Sequence, residues 1–107
     1  MKTENVRINR LLEMLKTSPD DTFLFFALAQ EYTKQNDLSR ARFYYTELLS
    51  KNPEYTGAYL HSGKLYEAEG NVQAAIAEYE KGIDICRKLN ATHDSNELQA
   101  ALNVLNQ

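Results

Sequence analysis

Apolar residues recur along this chain at three- and four-residue steps, the spacing of one face of an α-helix, and no segment gives a strand signal. Phe25, Leu28, Ala29 and Tyr32 make one stripe. Leu38, Ala41, Tyr45, Leu48 and Leu49 make a second, and Val72, Ala75, Ile76, Tyr79, Ile83 and Cys86 a third. Between stripes stand Asn36-Asp37 and Gly70-Asn71, where the first residue can end a helix in the left-handed conformation and the second can cap the next. The pattern predicts helices over 22–35, 38–51, 55–69 and 72–89. Two flanking segments add an opening helix over 4–17 and a closing helix over 95–106. The first carries Ile8, Leu11, Leu12 and Leu15 on one face and stops before Pro19, which disfavours helical geometry in the preceding residue. The second carries Leu98, Ala101, Leu102 and Leu105, with Asn96, Gln99, Asn103 and Asn106 elsewhere. About six helices are expected, with no linker longer than Asn90 to Asp94.

The stripes repeat. Pro19 and Pro53 stand 34 positions apart, and the same shift aligns Thr22 with Thr56, Tyr32 with Tyr66, Ala41 with Ala75 and Tyr45 with Tyr79. Near-matches follow: Phe25 with Tyr59, Ala29 with Gly63, and Leu49 with Ile83. Each unit therefore reads as two helices and a turn.

A 34-residue helix-turn-helix unit, with small residues at the helix crossing and proline at its end, resembles the tetratricopeptide repeat. The residues that carry the resemblance are Phe25, Leu28, Ala29, Tyr32, Ala41, Tyr45 and Pro53, then Tyr59, Gly63, Tyr66, Gly70, Ala75 and Tyr79. It implies an all-α fold of helix-turn-helix repeats stacked as a short right-handed superhelix, an α-solenoid. Residues 1–107 would form one domain, with repeats over 22–55 and 56–89 between the opening and closing helices. Some positions depart from the family pattern: Ser62 stands in a leucine slot, Leu48 and Gly82 in an alanine slot, and Arg87 where a proline would end the second unit. The missing proline predicts that the last repeat helix runs on to about Leu89.

The resemblance implies a protein-interaction module whose first helices line a concave groove. Carried over from the family pattern, the groove residues are Phe23, Phe26, Ala27, Gln30 and Lys34 in the first unit, and Leu60, His61, Lys64 and Glu67 in the second. The run Phe23 to Ala29 is apolar on all sides, whereas a surface helix is apolar on one stripe. Phe23 and Phe26 are then either anchors for a peptide or amphipathic helix, or core rings buried by the terminal helices. The family's clamp for acidic chaperone tails lacks its donors: Phe26, Gln30 and His61 occupy its first three positions, and no Lys or Arg occurs from Leu89 to Gln107.

Composition narrows the field further. The chain has 107 residues, enough for one domain, with 43% hydrophobic and 25% charged residues. Its net charge of -3 is spread evenly, so no basic face invites nucleic acid. The longest apolar run, Phe23 to Ala29, is far short of the roughly 20 residues of a membrane crossing. The single Cys86 cannot make an internal disulfide, and Met1 to Glu4 leads into a charged helix, so a cytoplasmic location is expected. Neither His61 nor His93 lies in a metal-binding frame, and Cys86 continues an apolar stripe, so no catalytic group, metal or cofactor is expected. His61 either contacts a ligand or is a solvated histidine without a role. Most tyrosines fill repeat slots, leaving Tyr44 and Tyr55 for a surface. The expected function is a non-enzymatic adaptor that binds a protein or peptide partner. The alternative is a homodimer through the apolar arc of the opening helix, Ile8, Leu11, Leu12, Met14 and Leu15.

Overall fold

Three helix ends in this chain close in one way. Asn36, Gly70 and Asn90 adopt left-handed φ of 60°, 78° and 57°. The next residue's N–H reaches back to the carbonyl five positions earlier: Asp37 to Tyr32 (2.9 Å), Asn71 to Tyr66 (2.8 Å) and Ala91 to Cys86 (2.9 Å). These closures satisfy carbonyls that a helix end otherwise leaves open. Asparagine tolerates this conformation because its short polar side chain can bond locally, and Gly70 because it lacks a Cβ.

The computed structural model describes residues 5–107. Among them are six helices: α1 (Val6–Thr17), α2 (Thr22–Lys34), α3 (Leu38–Lys51), α4 (Gly57–Ala68), α5 (Val72–Leu89) and α6 (Thr92–Leu105). Glu4, where the opening helix was expected to start, lies outside the described residues. Asn5 caps α1, its Oδ1 accepting from the Ile8 N–H at 2.9 Å. Asp21 caps α2 through the Phe23 N–H (3.0 Å), and Asn71 caps α5 through the Ala74 N–H (3.1 Å). The run of α5 to Leu89 matches the expectation drawn from the missing proline. The closing helix begins at Thr92 rather than residue 95, because the left-handed Asn90 turns the chain within two residues. Its first turn is then anchored by Thr56 Oγ1, which donates to the Asp94 carboxylate at 2.6 Å.

The helices fall into two units, residues 1–51 and 52–107. In the first, α2 packs against α1 and α3. Ile8 and Leu11 of α1 meet Leu24 and Leu28 of α2, with Leu12, Leu15, Ala27, Tyr32 and Tyr44 packed around them. Tyr44 is therefore no free surface residue: it stacks on Tyr32 at 5.7 Å between ring centroids, 2° from parallel, and lies 6.3 Å from Phe25. Burial raises its hydroxyl pKa, the Tyr32 hydroxyl adding to the effect and Arg40 opposing it. Arg7 Nε pairs with the buried Glu31 carboxylate at 2.9 Å and ties α1 to α2. In the second unit, α4 and α6 both pack on α5, and α6 also touches α4. Tyr59, Tyr79, Cys86 and Leu98 are fully enclosed there. Gly63 is small for a reason visible in the packing, since a Cβ at that position would run into the Tyr79 ring.

Candidate functional site

The first-repeat candidates sit on α2 in quite different surroundings. Phe23 is 64% exposed, so the opening helix does not bury it. Phe26 is half-buried and meets Tyr45 edge-on at 6.1 Å. Ala27 packs on the α1–α2 core, and Gln30 is half-buried. Lys34 is exposed and pairs with Glu31 at 3.2 Å. Phe23 belongs to an apolar depression of about 450 Å³ between α1 and α2, lined also by Val6, Arg7, Arg10, Leu11 and Met14.

The second-repeat candidates come closer to a groove. Leu60 and Lys64 of α4 and Glu97, Ala100, Ala101 and Val104 of α6 line an apolar depression of about 320 Å³. Lys64 and Glu97 put opposite charges among its walls, and Val104 is 65% exposed. His61 stands exposed beside it on α4. Desolvation lowers the pKa of its imidazole, and the Glu97 charge opposes that shift. Glu67 has a packing duty as well: its carboxylate accepts from the Tyr79 hydroxyl and lies 3.8 Å from Lys64 Nζ. Burial, reinforced by Glu67, holds the Tyr79 hydroxyl protonated far above the ordinary tyrosine range.

Sequence reasoning missed the partners that terminal helices supply to these depressions. Ala100 and Val104 stand four apart off the apolar stripe of α6, and Val6 and Arg10 continue on α1 the four-residue spacing that ends at Met14, which the sequence had already placed on an apolar arc. An apolar residue four positions from another and away from the buried stripe was the available signal.

Cys86 is 1% exposed, and burial followed by the Asp94 charge raises its thiol pKa, which suits an inert packing residue. His93, Asp94 and Glu97 offer ligand atoms within 4.8 Å of one another at the start of α6. Thr56 already engages Asp94, and the positive end of the helix opposes a cation there. Among the described residues, no helix is long and apolar enough to cross a membrane.

The sequence model of the tetratricopeptide repeat matches residues 32–85. No curated protein matches the chain. A tetratricopeptide repeat domain protein from Salinibacter ruber is 40% identical: its crystal structure aligns over 80% of this chain and 96% of its own, with a TM-score of 0.76. Its solution structure aligns over 81% and 88%, with a TM-score of 0.77. A Bordetella parapertussis protein, 24% identical over 96% of this chain and 89% of its own, shares the fold with a TM-score of 0.82. A family model covering half the chain, together with a 40% identical relative spanned almost end to end, shows that this protein belongs to the tetratricopeptide repeat family, a fold that generally mediates protein–protein interaction.

Proposed function

We propose that this chain is a non-enzymatic adaptor that binds a peptide or amphipathic helix of another protein, in the cytoplasm. The observation that carries the reading is the apolar depression beside α4, where Leu60, Ala100 and Val104 are flanked by Lys64 and Glu97. An apolar floor with a few charges at its edge suits a helix or peptide with one apolar anchor. Leu60 would receive the anchor, while His61 and Lys64 orient the backbone. In the first repeat Phe23, Gln30 and Lys34 would offer contacts of their own on α2, where Phe26 and Ala27 also pack, and in the second repeat Glu67 supports the depression while bonding Tyr79. The test is a random peptide display library selected on the intact chain. Selected peptides should lose binding to Leu60→Asp and keep it to Phe43→Asp, which alters an exposed ring on α3. Peptides indifferent to Leu60→Asp, or none selected, would overturn the reading.

Self-association is a second reading, favoured by α1: Val6 and Met14 are 68% and 47% exposed beside Phe23. Leu12 is not part of that outer face, since it packs against the core of its own unit. The residue to alter is therefore Met14.

A further inference from the structure

We propose that a second copy of this chain covers the depression between α1 and α2, and that it does so with the outer face of α6. This inference rests on the self-association reading above and assigns it a geometry. The first and last helices carry opposite charge. Over Val6–Thr17, α1 has Arg7, Arg10 and Lys16 against Glu13 alone, whereas α6 over Thr92–Leu105 has Asp94 and Glu97 with no Lys or Arg.

The exposed groups within each face sharpen that contrast. Lys16 is taken by Glu13 at 3.1 Å and Arg7 is shared with Glu31. Among the described residues Arg10 has no carboxylate partner, and it stands inside the depression with Val6, Met14 and Phe23. On α6, Glu97 is half-exposed beside Ala100 and Val104, with the exposed His93 imidazole at 3.2 Å and His61 close enough to feel its charge. The α1 face thus combines exposed apolar side chains with Arg10, and the α6 face combines Ala100 and Val104 with Glu97, at spacings that fall on one side of each helix.

Charge then decides which faces meet. Two α1 faces brought together would crowd Arg7 and Arg10 of both copies with no carboxylate among the residues that line the depression, whereas the α6 face offers Glu97, the Lys64 beside it being held by Glu67 at 3.8 Å. The α1 face against the α6 face sets Arg10 beside Glu97 and Met14 and Val6 beside Val104 and Ala100.

Light scattering across a concentration series at low salt reads this directly. The mass of the wild-type chain should rise above that of the monomer, and added salt should lower it. Met14→Asp and Val104→Asp should each be monomeric, because each spoils one face. Mixed, they should form a one-to-one dimer and nothing larger, since Met14→Asp keeps its α6 face and Val104→Asp keeps its α1 face. Both substitutions are at exposed positions, and circular dichroism should show unchanged helix content. If either unfolds, Arg10→Glu and Glu97→Lys replace them: each alone should be monomeric, while the chain carrying both should associate again. A wild-type chain that stays monomeric at millimolar concentration overturns both this inference and the self-association reading. A Val104→Asp chain that still dimerises overturns this inference alone and leaves a symmetric α1 contact. A mixture that stays monomeric overturns it too.

Discussion

The two repeats share one register and differ in what fills it. Slots that fix the helix crossing hold small residues in both: Ala29 and Ala41 in the first, Gly63 and Ala75 in the second, all buried. Tyr45 and Tyr79, 34 positions apart, are both enclosed. Elsewhere the slots change in pairs. Leu28 and Tyr44 belong to an apolar and aromatic cluster, whereas the matching Ser62 and Glu78 form a hydrogen bond, the serine hydroxyl donating to the carboxylate. Leu48 is fully buried, whereas its counterpart Gly82 yields its space to Tyr59 and Leu98. Backbone geometry thus tolerates either chemistry, provided that both members of a contact change together.

The largest break in that comparison should come from giving the second repeat the first repeat's residue. A Cβ at Gly82 would stand 2.7 Å from Tyr59 Cβ and 2.8 Å from Leu98 Cδ1, and the Tyr59 Cβ cannot retreat without moving α4. Gly82→Leu should cost about 3 kcal/mol or more, despite leucine's better helix propensity. Hydrogen exchange should show α6 losing protection while α2 and α3 keep theirs.

A smaller effect tests the paired change. Ser62→Leu removes the donor of a buried hydroxyl–carboxylate bond and should cost about 2 kcal/mol by thermal unfolding. Ser62→Leu with Glu78→Tyr installs the first repeat's pair and should recover most of that loss. If the two costs simply add, the slots do not act as pairs.

Much of the fold was legible before the structure because its carriers are local. The Asn36 and Gly70 closures, the caps at Asp37 and Asn71, and the 3.6-residue stripes each depend on a few neighbouring residues. The α6 start was misjudged because Ala91 gives no side-chain cap signal, and its anchor, Thr56, lies far away in sequence. Tyr44 was misplaced for a similar reason: its partners Tyr32 and Phe25 are on another helix. The groove list fared unevenly. Leu60 and Lys64 line a depression, whereas Ala27 and Glu67 have packing duties that helical spacing cannot reveal.

Alkaline pH should act on both repeats. Tyr44 of the first unit and Tyr59 and Tyr79 of the second all have hydroxyl pKa values raised above 10.0, desolvation being the first cause in each. A tyrosine that holds its proton more tightly when folded stabilises the fold fully below the unfolded value and loses that advantage as the unfolded chain ionises. Stability should therefore fall as pH rises above about 10. Tyr79→Phe should flatten that fall, since the buried phenol bonded to Glu67 is gone. A melting-temperature series against pH that is unchanged in Tyr79→Phe would show that another group controls the alkaline limb.

The mildest test concerns how each terminal helix is fastened. Thr56 holds α6 through a short neutral-to-charged bond, whereas Arg7 holds α1 through an ion pair whose arginine is 67% exposed and whose glutamate is 9% exposed. Solvent screening weakens the Arg7 side of the pair, and Lys34 at 3.2 Å would still compensate Glu31 if Arg7 were lost. Arg7→Met keeps the apolar stem of the side chain and removes only the charge. It should cost no more than about 1 kcal/mol, well below the 3–5 kcal/mol of stranding a fully buried charge. The loss should appear as faster hydrogen exchange in α1 with α6 unaffected. A larger loss would mean that Lys34 does not compensate Glu31, and that the docking of α1 depends on the Arg7 charge more than on Ile8 and Leu11.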